Sequence, residues 1–135
     1  MTKWVMYLPS RIFTRIMETF SAEIKSNLNM TDDNFSSVSS SNTGAIFPFV
    51  YVHLLPAVET GRDLEGITIN GGLFTFQIEV TDNQSQNRAG IVMTEILRIM
   101  KAQGFEVVAM PEFKYSDSYR CTARFRRNIA HNDIL

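Results

Sequence analysis

The ten residues Leu73–Asp82, LFTFQIEVTD, alternate without a break. Successive side chains on a strand point to opposite faces, so Phe74, Phe76, Ile78 and Val80 share one side and Thr75, Gln77, Glu79 and Thr81 the other. A strand with one apolar and one wet face needs a cover on the apolar side only. The segment that follows, residues 83–104 (NQSQNRAGIVMTEILRIMKAQG), has the period to supply it. Ala89, Val92, Met93, Ile96, Ile99 and Met100 form a helical stripe, and Gly104 is placed to end the helix.

Working outward, residues 10–28 (SRIFTRIMETFSAEIKSNL) predict another amphipathic helix. Ile12, Ile16, Phe20, Ile24 and Leu28 recur every four residues, with Ser10 as N-cap after Pro9. Residues 29–44 are polar and serine-rich and read as a flexible connector, in which Phe35 and Val38 are apolar exceptions that either dock on a partner or, the preferred reading, tuck against the domain itself. Residues 46–55 (IFPFVYVHLL) predict a strand apolar on both faces and so covered on both, with Pro48 at its start or on a sheet edge. Residues 105–110 predict a short strand, 111–117 a turn, and 118–129 the last strand. The order α-β-β-α-β-β gives an α+β fold: a four-stranded, mainly antiparallel sheet with both helices on one face. At 135 residues the chain is expected to be a single domain.

On the last strand, Tyr119, Cys121, Ala123 and Phe125 share the parity of the core, and Arg120, Thr122, Arg124 and Arg126 face outward. Three arginines on one strand face suit either nucleic-acid phosphate or charge pairing across the sheet and between subunits. Glu79 and Gln77, on the outward face of 73–82, are the natural partners, and the strand lacks the aromatic pattern of an RNA-reading sheet. Pairing is therefore the preferred reading. A small nucleic-acid-binding α+β domain that uses this arginine face is the alternative.

Between the two central strands lies ETGRDLEGITINGG, residues 59–72. Its glycines lack the Lys-Ser continuation and the strand-to-helix setting of a phosphate loop. Ile67 and Ile69 alternate with polar residues, and Asn70-Gly71 is a tight-turn dipeptide, so the stretch reads as a projecting hairpin. A projection that buries little of itself makes sense when a neighbour covers it.

The bulk numbers exclude several classes. A net charge of −1 provides no overall field toward nucleic acid or anionic membrane. The apolar run AIFPFVYV is too short to span a bilayer, and no secretory leader is recognisable, which points to a cytoplasm as the place of synthesis. One cysteine, Cys121, rules out an internal disulfide and reads as a small apolar filler. His53 and His131 are far apart, and the acid pairs Asp32-Asp33 and Asp63/Glu65 fall on loops, where nothing shifts their pKa toward catalysis. Neither catalytic nor metal-ligating residues are expected, nor a cofactor. A regulatory small-molecule domain of similar topology lacks a polar cluster to line its pocket.

The run GRDLEGITINGGLFTFQIEVTDNQSQNRAGIVMTEILRIMKAQGFEVVAMPEF, followed by YRCTARFRRNI, resembles the tail terminator (tail-to-head joining) proteins of long-tailed bacteriophages, from about Phe47 to Ile129. The resemblance implies a structural virion protein of the tail or neck, assembled in the host bacterial cytoplasm. Copies would form a homo-oligomeric, hexameric ring that caps the tail tube, stops tail polymerisation and offers a surface for head–tail joining. The partners implied are the tail tube protein and a head completion or connector protein. DNA passes through the lumen without sequence-specific binding, and no membrane is involved. On this reading Arg62, Asp63, Leu64, Glu65, Ile67, Ile69 and Asn70 of the hairpin, with Glu79, Arg120, Arg124 and Arg126 of the sheet, form interfaces.

Overall fold

The computed structural model describes residues 3–37, 46–61, 69–115, 118–130 and 133. It is an α+β fold. The elements in chain order are α1 (Lys3–Thr19), α2 (Ala22–Asn27), a 3-10 turn (Asp32–Asn34), β1 (Phe35–Ser36), β2 (Phe49–Leu54), β3 (Val58–Thr60), β4 (Gly71–Asp82), α3 (Gln86–Ala102), β5 (Glu106–Tyr115) and β6 (Tyr119–Ala130).

The alternation at 73–82 sets the register of the whole sheet. β4 is central: it pairs antiparallel with β2 on one side and β6 on the other, and β6 pairs antiparallel with β5. Phe76 lies opposite Phe125, Ile78 opposite Ala123 and Val80 opposite Cys121, all buried. Val92, Met93, Ile96, Ile99 and Met100 of α3 join them in one core cluster with Leu8, Ile12 and Ile16 of α1. Burying each large apolar side chain contributes about 1.5–3 kcal/mol. Trp4 and Phe74 meet edge to face at 5.8 Å, which puts α1 on the same side of the sheet as the β4 core residues.

Several expectations need correction. Among the described residues the sheet has six strands and is mixed, because β1 adds parallel to β2 and β3 adds antiparallel to the start of β4, and there are three α-helices. The first begins at Lys3, so Pro9 is inside it and Ser10 is no cap. An internal proline loses a helix hydrogen bond and costs about 3 kcal/mol. Leu8 stays in phase with Ile12, Ile16 and Phe20, and its burial, with the packing of Trp4 and Val5 on the core, offsets that cost. The helix then breaks at Phe20–Ser21, and Ser21 caps α2 by accepting from the Ile24 N–H.

The serine-rich connector is ordered at its start. Asn34 is fully buried; its Oδ1 accepts from the Thr31 N–H at 2.8 Å and its Nδ2 donates to the Pro48 carbonyl at 2.7 Å. Phe35 tucks into the core, edge to face with Phe20 at 5.2 Å. Residues 38–44, Val38 among them, lie outside the described residues. β5 continues past Pro111, with a register shift between Ala109 and Glu112, and ends at Tyr115, where a turn was expected from 111. Because β5 is an edge strand, a residue without an N–H breaks no necessary ladder bond there. The second face of β2 is not covered: Phe49 and Tyr51 are half-buried and His53 is exposed.

Candidate functional site

The outward face of β4 and β6 brings together four of the predicted interface residues. Antiparallel register places Arg124 opposite Gln77 and Glu79 opposite Thr122, one step from Arg120. Arg120 Nε lies 3.0 Å from Glu79 Oε1, and Arg124 Nε donates to Gln77 Oε1 at 3.0 Å. Arg126 donates to Glu106 Oε1 from Nε at 2.9 Å and from Nη2 at 2.6 Å. The cross-strand pairing expected of Glu79 and Gln77 is borne out; Glu106 is the partner the sequence reading missed, because it comes from β5. Each of these pairs is solvent-exposed and contributes at most about 1 kcal/mol. Their effect is to fix the guanidinium planes and to cancel much of the positive stripe. Beside them on β2, Tyr51 stacks on His53 at 5.6 Å. The open face is thus a polar mosaic with one aromatic margin.

The hairpin is placed only in part. Its arms are β3 and the start of β4, with Thr60 opposite Gly71 and Val58 opposite Leu73. Asn70-Gly71 is therefore not the turn itself: Gly71 already belongs to the ladder, while Gly61 has the positive φ of 63°. Asn70 Nδ2 donates to the Gly61 carbonyl at 3.1 Å and closes the base of the loop. The Ile69 carbonyl accepts from Trp4 Nε1 at 2.9 Å, so that base is tied to α1 of its own chain. Arg62, Asp63, Leu64, Glu65 and Ile67 lie outside the described residues. The hairpin arm meets β6 beyond the arginine pairs, where Thr60 Oγ1 donates to Asn128 Oδ1 at 2.8 Å.

The structure adds a feature that the sequence reading passed over. β5 forms one edge of the sheet, ten residues long, and Val108, Met110, Phe113 and Tyr115 on it are all exposed. Met110 shows 75% of its surface. Phe113 reaches back to α3, where Gly90 leaves room for its ring, and with Ile91, Leu97 and Pro111 it borders a shallow apolar groove of about 280 Å³. A long edge that leaves apolar side chains exposed along its length is a surface suited to a partner. The register shifts twice along β5, and Pro111 removes a donor, which blunts simple strand addition. Side-chain packing is the mode of contact this edge favours. The apolar residues of VVAMPEFKY were in view, but their parity changes across Pro111, so no single alternation marked the strand.

Cys121 is buried in the core as expected, and desolvation pushes its thiol up to about 11. No nucleophile chemistry follows from such a thiol. Among the described residues no three His, Cys, Asp or Glu side chains cluster to hold a metal ion, and no helix is long and apolar enough to cross a membrane. In comparisons with known proteins, the chain matches no family model and no curated protein.

Proposed function

We propose that this chain is a ring-forming structural component of a phage tail, of the tail-terminator kind. Copies join side by side, cap the tail tube, end its polymerisation and present the surface on which the head docks. The action is contact alone, without a catalytic step or a cofactor. The observation that carries this reading is the open β5 edge, with Val108, Met110, Phe113 and Tyr115 exposed together on a chain whose sequence resembles that family. In this scheme one ring face matches the bonding surface of a tube subunit and the opposite face does not, so addition of tube subunits halts. The arginine face serves as a paired, geometrically fixed surface toward a neighbour or the lumen.

A nucleic-acid-binding role for that face draws less support, since Arg120 and Arg126 already spend donors on Glu79 and Glu106. The test is electron microscopy of the purified protein mixed with tail tubes. Rings or caps at one tube end support the proposal. Bare tube ends, together with a monomer alone in native mass spectrometry, contradict it.

A further inference from the structure

The end of β5 is its regular part. Register shifts interrupt the strand between Val107 and Glu112, but from Glu112 to Tyr115 every residue has its own partner on β6. Among the described residues no strand covers the other side of this stretch. Phe113 lies opposite buried Cys121 and so faces the helix side of the sheet. Glu112 and Lys114 lie opposite Thr122 and Arg120 and so face the open side. All four residues from Glu112 to Tyr115 are exposed. Neither Glu112 nor Lys114 makes an ion pair with any described residue, and Arg120, beside Lys114, is spent on Glu79.

Opposite charges two residues apart on one edge strand form a self-complementary pattern. Two such strands running antiparallel about a twofold axis at Phe113 set Glu112 of each copy opposite Lys114 of the other. Centring the axis on Glu112 or on Lys114 sets like charges face to face, which is destabilising. A slip of one residue sets the charges against apolar side chains and the opposite sheet face. One register is therefore favoured. On the helix side, the same axis brings the two Phe113 rings together and lays Tyr115 of one copy over Pro111 of the other. That covers the groove bordered by Ile91, Leu97, Pro111 and Phe113.

We propose that the free chain pairs with a second copy of itself through Glu112–Tyr115, as a twofold dimer centred on Phe113. The apolar contacts supply the attraction. The two ion pairs are too solvent-exposed to add much affinity, and their part is to select the register. So short a contact is smaller than a stable interface, so the dimer is weak and comes apart on dilution. It is also closed, since each copy spends its edge on the other. The inference does not rest on the ring-forming reading: it concerns the chain before it meets a tube, and a tube-bound copy that uses this edge gives the pairing up.

Sedimentation equilibrium of the purified chain without tail tubes, over a rising concentration series, tests it. A monomer–dimer equilibrium with no larger species is expected. Glu112→Lys and Lys114→Glu each weaken dimerisation about tenfold, because symmetry alters both ion pairs at once. The double variant Glu112→Lys/Lys114→Glu restores the affinity. These surface changes leave the unfolding midpoint where it was. Phe113→Cys gives a covalent dimer on mild oxidation, whereas Cys121 is buried and does not cross-link. A chain that stays monomeric at near-millimolar concentration overturns the proposal. So does a dimer indifferent to both charge variants, or a double variant no tighter than the single ones. A ladder of species beyond the dimer assigns the edge to a head-to-tail contact and overturns it as well. Because tubes are absent, none of these results decides whether the chain caps them.

Discussion

The two edges of the sheet are built on opposite plans. At the β2 side, β1 is only two residues long, yet Phe35 is buried and Asn34 is locked by bonds to Thr31 and Pro48. At the β6 side, β5 is ten residues long and leaves Val108, Met110, Phe113 and Tyr115 in the open. One edge is finished by the chain's own N-terminal third, and the other is left with apolar surface uncovered. Apolar side chains that do not stabilise their own fold are candidates for stabilising a contact with something else. The same contrast separates stability from assembly: mutations at the closed edge should unfold the chain, and mutations at the open edge should leave it folded but alone.

The largest expected effect is at the closed edge. Phe35→Ala removes a buried ring from contact with Phe20 and should cost about 3–5 kcal/mol in urea unfolding. A loss under about 1 kcal/mol would erase the distinction between the edges.

Next comes the junction that supports the N-terminal third, where buried Glu95 accepts from the Ser21 N–H at 2.7 Å as well as from Arg98. Glu95→Ala should cost about 2 kcal/mol, since it orphans the Ser21 N–H. The hydrogen bonds from Arg98 hold the Glu95 carboxyl below its ordinary value of 4.5, aided by Ser21 and by the charge of Arg98, against the opposing effect of burial. A depressed carboxylate stabilises the fold fully above that ordinary value and loses its contribution as pH falls through the lowered one. The stability gap between the unmodified chain and Glu95→Ala should therefore be constant near neutrality and shrink in acid below about pH 4.5. A gap that widens in acid would contradict the assignment.

Smaller still is the open sheet face. Arg120→Ala should change stability by less than about 1 kcal/mol, because its pair with Glu79 is exposed. The smallest effect falls on the open edge: Met110→Ser should shift the unfolding free energy of the isolated chain by less than about 0.5 kcal/mol. A large loss there would mean that this side chain serves the monomer.

How far the sequence foretold this contrast depends on period. β4, β6 and α3 follow strict periods of 2 and 3.6, and their inward and outward residues were legible, with Glu79 and Gln77 as partners for the arginines; which arginine each takes was not. β1 was not, since two residues carry no period and Phe35 is fixed by tertiary contact with Phe20. Pro9 and Pro111 each looked like a boundary; one is tolerated because its helix packs well, the other because its strand lies on an edge. Nothing in the apolar period of α3 marks Glu95, and only the break at Ser21 makes it a buried acceptor.

Hydrogen exchange on the protein with and without phage tail tubes compares the edges directly and tests the proposed role. The account predicts that amides of 106–115 gain protection on the tubes while those of 35–36 do not change. Unchanged exchange along 106–115, in a sample where the protein has bound tube ends, would contradict it.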